Sequence, residues 1–433
     1  MLRFTASVDI REPDGLAEPH PRRSGEARPS ATKKHHLTAN IAAVGLLLAV
    51  VAGVFAWQRP WESADGPATS TIPSDARARL TRQFQDLSDA RSRSAFLAAA
   101  GDSDEAHRAA GDIWDARRTL GVQDVAFVYR RGGQAPDRAD GSTSAEVDVA
   151  WRGGSSTVRF RLWPTADGFD LMSVTREGGD PVPIWLAGNV GVKRADGATV
   201  ITINGGEDDI DAVTLARRAA GAVNRLVPTA RGRLTVVVPK APATAAAVLG
   251  RPARGVAQIA AVSTALGGPR GVPAIVVNPE LFVGMDDRAQ RIVMTHEATH
   301  VLSGLAHKRS RIELWVAEGF ADYVALHDDR APLSVSAGQI LRKVRADGAP
   351  PRLPSAADFD ESTHGLSTVY EAAWMVFRML GEQHGDVAVR GFYTDVVDGR
   401  SVDEAARQWF GTTVKGITAD WRRYLTKSAS TVS

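Results

Sequence analysis

The 433-residue chain contains no cysteine. That absence excludes disulfides, thiolate metal sites and thiol catalysis, so any metal must be held by His, Asp or Glu. An excess of charge of either sign is missing too: 52 Lys and Arg stand against 50 Asp and Glu, a formal net charge of +2. Nothing in that balance points to a nucleic acid or an acidic polymer as partner, and none is expected. No internal repeat is present, and a length of this kind suggests two or three domains, each able to bury its own core.

Long apolar runs are absent with one exception. Residues 37–58, "LTANIAAVGLLLAVVAGVFAWQ", carry no charge over 22 positions, roughly 33 Å if helical and enough to cross a bilayer. "KKHH" precedes the run, and Trp57 and Trp61 mark its far end. Residues 1–36 are rich in Pro, Arg, Gly and Glu, too poor in apolar residues to fold, and their arginines and lysines place them on the cytoplasmic side. The expectation is therefore a disordered cytoplasmic tail, a transmembrane helix over 37–58 in the lipid bilayer, a flexible linker over 59–74, and everything beyond it outside the cell membrane. A cleaved signal peptide ending at Ala56 is the rival.

The exported part divides where the hydrophobic period changes. Leu80, Phe84 and Leu87, then Ala106, Ala110 and Ile113, recur at helical spacing, and Gly121 is a helix stop. Four alternating segments follow at 125–130, 145–153, 157–164 and 169–175, the pattern of antiparallel strands joined by Gly and Asp turns. This order over 75–190 weakly resembles the cone-shaped fold of nuclear transport factor two, and it holds no cluster that demands chemistry. A second unit, 199–427, opens near Thr199 with strands at 200–205, 233–239, 256–263 and 274–279 and a helix over 211–227. Beyond Pro279 the pattern is helical, over about 286–304, 314–328, 335–347, 366–384 and 402–427. The fold class expected is α+β: a single transmembrane helix, a small accessory module, then a small sheet followed by a helical half.

That helical half contains "MTHEATHVLSGLAH", residues 294–307. Asp286 can cap a helix that Gly304 ends, and on it His296 and His300 lie four apart, so both imidazoles leave the same face. Two imidazoles on adjacent turns can grip one tetrahedral Zn²⁺. Glu297, one step round the helix, can take a proton from a water at the open coordination position.

Zinc needs a third protein ligand, and two candidates exist. His307 invites comparison with metzincins, whose pattern is HExxHxxGxxH, but Gly304 and His307 each come one residue late here, and no clear Met-turn follows. Glu318 in "ELWVAEGFADYVA" lies 18 residues after His300 on a second helix. Asp322, four residues later on the same face, could accept a hydrogen bond from the far nitrogen of a ligand histidine. The strand "AIVVNP" at 274–279 could either border a cleft and pair with a peptide or sit inside the sheet.

"THEATH" followed by "LWVAEGFADY" resembles gluzincins, the thermolysin and aminopeptidase branch of zinc metallopeptidases, and most closely their peptidase MA-like members. The resemblance covers roughly residues 199–427. It implies that His296, His300 and Glu318 bind one Zn²⁺, that Glu297 is the general base, and that Asp322 supports a ligand histidine from behind. Tyr370 in "STVYEAAWMVFRML" resembles the tyrosine that stabilises the oxyanion in aminopeptidase-type members, with His364 a weaker donor. No GxMEN exopeptidase signature is present. The function expected is a membrane-anchored, extracytoplasmic zinc peptidase acting on peptides or proteins. The alternative is a catalytically inactive, zinc-binding surface module that captures a peptide or protein partner.

Overall fold

The computed structural model describes residues 74–431 apart from 134–139, 167, 177, 179, 207–209, 229, 231, 268–270, 305–311 and 360–364. Its first part contains three helices, α1 (Ser74–Asp89), α2 (Arg93–Ala100) and α3 (Asp104–Thr119). They pack on an antiparallel meander of β1 (Ala126–Gly132), β2 (Thr143–Trp151), β3 (Gly154–Pro164) and β4 (Phe169–Arg176). Alternation makes one face of the meander apolar: Val147, Val149, Val158, Phe160 and Leu162 are buried with Leu80, Phe84 and Ile113 of the helices. Helix α2 was not anticipated. Its run "RSAFLAAA" is only eight residues, too short for a period, and is fixed by Ser92, whose hydroxyl accepts from Ala95 N–H, and by burial of Phe96.

The second part is built on five strands, β5 (Val190–Ala195), β6 (Ala198–Ile203), β7 (Leu234–Pro239), β8 (Ala261–Leu266) and β9 (Val272–Val277), in the order β5-β6-β7-β9-β8. Helix α4 (Ala212–Leu226) links the parallel pair β6 and β7, and α5 (Pro242–Val248) follows β7. Successive residues serve opposite faces. Val200, Val236, Val238, Ile275 and Val277 face the helical half, whereas Ile201, Ile203, Val237, Ala274 and Val276 pack with Ala245 and Val248 of α5.

Two expectations for this sheet are corrected. It begins at Val190, ahead of Thr199, because β5 is a half-exposed edge strand whose Lys193 and Arg194 hide the apolar alternation. The segment 256–263 is a strand only from Ala261; the buried Val256 belongs to a loop that the Asn278 side chain holds by donating to Val256 O at 2.9 Å. The strand over 274–279, β9, is internal. The edge on this side is β8, antiparallel to its one neighbour.

The helical half comprises α6 (Asp287–Leu302), α7 (Leu314–Ala325), α8 (Gly338–Asp347), α9 (Leu366–Val397), α10 (Val402–Phe410) and α11 (Val414–Thr431). The single transmembrane helix expected of this architecture is withdrawn. Among the described residues no helix is long and apolar enough to cross a membrane, and the run 37–58 lies outside the described residues. Even α9, at 32 residues, breaks at Gly385 (φ 78°) and carries Arg378, Glu382 and Asp386. What is described is α+β.

Candidate metal centre

Helix α6 starts where Asp286 accepts the Ala289 N–H at 2.7 Å, and its chain turns away at Gly304, φ 81°. From Ile292 to Leu302 every residue is buried, because α6 runs between the sheet and α7. Helix α7 can lie close to α9 since residue 319 is glycine: a Cβ there would stand 2.6 Å from the Ala373 carbonyl oxygen and 2.8 Å from the Phe377 ring. That contact fixes the neighbouring Glu318 against α6.

The outcome is a triangle of ligand atoms. His296 Nε2 lies 3.1 Å from His300 Nε2 and 3.1 Å from Glu318 Oε2, and His300 Nε2 lies 3.4 Å from Glu318 Oε2. Ligands about 2.0 Å from a tetrahedral ion stand roughly 3.3 Å apart, so the three atoms already have the spacing of one coordination face. This buried group could hold a metal ion. His296 Nδ1–H donates to Asp322 Oδ1 at 2.7 Å, which orients the ring so that Nε2 faces Glu318. Glu297 Oε2 accepts the backbone N–H of Ser263, in β8, at 2.7 Å.

The electrostatics suit a cation. Burial alone would lower the His296 imidazole, but the adjacent Asp322 and Glu318 carboxylates hold it well above its ordinary value. Burial works against ionising Glu318, yet His300 and His296 bring its carboxyl down to about 2. It is therefore ionised, as a metal ligand must be. Burial pushes Glu297 up to about 7, against the pull of His296, His300 and the Ser263 N–H. Glu318 Oε1, Glu297 Oε1, His300 Nδ1 and Ser263 Oγ are buried with no hydrogen-bond partner among the described residues. So many orphaned polar atoms in one place fit a centre completed by an ion and its water.

Of the residues singled out in the sequence, His296, Glu297, His300, Glu318 and Asp322 come together, all at most 2% exposed. His307 and His364 lie outside the described residues. Tyr370 is in the first turns of α9, one turn before the Ala373 contact with Gly319, and its ring stands edge-on to Phe359 at 5.1 Å. Ser263 was missed, since its role depends on the strand register of β8 and no motif marks it.

No family model matches the chain, and no curated protein does. The reading of the centre therefore stands on its geometry. Replacing Asp322 with Ala should weaken metal binding about 10–100-fold, measured by competition with a chromogenic chelator. Unchanged affinity would remove Asp322 from the ligand-orienting role.

Beside Tyr370, the buried Glu371 accepts the Ile340 N–H at 2.7 Å, at the start of α8. Burial raises its carboxyl from 4.5 to about 7, although the Ile340 and Gln339 backbone N–H groups oppose this. Between those values the unfolded chain has lost a proton that the folded protein keeps, so stability falls as pH rises through this window and stays lower above it. Glu371→Gln keeps the acceptor and removes the titration. It should unfold at higher urea than the parent at pH 8, by on the order of 3 kcal/mol, and match it near pH 4. Parallel pH profiles for the two proteins would contradict this.

Proposed function

We propose that the chain is a zinc-dependent peptidase that hydrolyses peptide bonds with Glu297 as general base. The observation that carries this reading is the three-atom ligand face, with Glu297 beside it and anchored by one oxygen only. Two imidazoles and one carboxylate at tetrahedral spacing suit zinc. When bound, the ion supplies Lewis acidity, polarising the substrate carbonyl and making a water acidic near neutral pH.

The protein's own residues do the rest. Ser263 N–H holds Glu297 Oε2 and leaves Oε1 to receive a proton. Glu297 takes that proton from the attacking water as the new C–O bond forms, and returns it to the amine nitrogen as the C–N bond breaks. A value near 7 lets one carboxyl do both. Tyr370 is the proposed donor to the oxyanion. The half-buried end of β8, Thr264 to Leu266, would pair with an extended peptide backbone, bringing it past Glu297.

One observation favours the second reading, a metal-holding module without turnover: His296, Glu297, His300 and Glu318 are each no more than 1% exposed. Zinc quantification and a peptide-library cleavage assay on the same full-length protein separate the two. Stoichiometric zinc with cleavage supports the peptidase; stoichiometric zinc without cleavage supports the binding module.

A further inference from the structure

Helix α4 packs along α6 and touches α7. Together the three line a half-open cavity of about 370 Å³. Its floor is small-residued, with Gly221 from α4, Thr295 from α6 and Ala325 from α7. A Cβ on Gly221 would meet nothing within 4 Å, so the space is open above it. Its rim is basic. Arg217 and Arg225 lie one turn to either side of Gly221 on one face of α4, Arg218 stands beside them, and Arg291 comes from α6 a turn before Thr295.

The counter-charges only partly answer these arginines. Asp328 pairs with Arg225 at 2.6 Å. Asp329 is held chiefly by Arg288 at 2.6 Å, with Arg291 its more distant partner at 3.3 Å. Among the described residues no carboxylate forms an ion pair with Arg217 or Arg218. Their acidic neighbour Asp211 instead caps α4 by accepting the Thr214 N–H at 3.1 Å.

We propose that this cavity binds a small phosphoryl-bearing anion. Four arginines against two aspartates leave two positive charges on the lining, which matches a phosphate monoester of charge about −1.5 to −2 at pH 7. A carboxylate is planar and is satisfied by one guanidinium fork. A phosphoryl group directs three oxygens in different directions and suits forks that arrive from two helices. Thr295 adds a hydroxyl at the floor.

The test is calorimetric titration of full-length protein with glycerol phosphate and with inorganic phosphate, using acetate at equal ionic strength as control. Saturable binding with a Kd of about 1 mM or tighter is expected for the phosphates and not for acetate. The exposed pair Arg217→Ala/Arg218→Ala should weaken it at least about tenfold. Gly221→Leu, which places a bulky side chain between Arg217 and Arg225 and keeps every charge, should weaken it at least as much. If the arginine variant loses binding and Gly221→Leu does not, the attraction is diffuse surface charge and the site is refuted. Binding that persists in both variants belongs to the metal centre and refutes it equally, as does the absence of saturable binding. Circular dichroism confirms that both variants fold.

Discussion

Glu297→Gln is expected to lower peptide hydrolysis by about 10²–10⁴-fold while metal content stays at the parent level. The amide keeps the size of the carboxyl and can still accept the Ser263 N–H through its oxygen, so β8 and α6 remain joined. What it loses is the ability to take up a proton and release it again. None of the three converging ligand atoms belongs to Glu297, so the ion should be retained. Steady-state rates alongside metal analysis decide the matter. Retained activity would show that another group takes the proton, and lost metal would show that Glu297 is a ligand.

Glu318→Ala should empty the centre. It deletes one of three ligand atoms and the only carboxylate among them, leaving two imidazoles 3.1 Å apart with no anion between them. The loss of affinity should exceed the 10–100-fold assigned to Asp322, which touches a ligand and not the ion. Removing one member of a buried charged cluster also costs about 3–5 kcal/mol of stability, so metal content should be read at low temperature on protein shown to be folded. His307→Ala is the companion variant and should retain metal. The reverse pattern would restore the metzincin arrangement.

Those two outcomes also measure how far the centre could be read from residues alone. His296 and His300 four apart, and Glu318 and Asp322 four apart, each declare a shared helix face, and the structure brings the two faces together. The near-continuous apolar runs of β6, β7 and β9 were equally plain, since both faces of those strands are buried. Beyond this the local signal fails for identifiable reasons. A polar edge such as β5 has no apolar period, and Val256 is buried by a loop. The bond from Ser263 to Glu297 joins residues 34 apart through a register that only the folded sheet defines. The close approach of α7 to α9 at Gly319 was not legible either, because its counterpart is the Ala373 carbonyl, a backbone atom that no residue type marks.

The placement of the ligands also bears on the order in which the molecule assembles. His296, His300, Glu318 and Asp322 all fall within 27 successive residues on two consecutive helices. The loop to be closed before the ligand atoms meet is short, and its entropic cost is correspondingly low. The sheet, by contrast, must join β6 to β7 across α4, and β7 to β9 across α5 and β8. Contacts of that span form slowly. The three ligand atoms and Asp322 can therefore be brought together by one local helical pair, whereas the parallel strands around them need the longer closures.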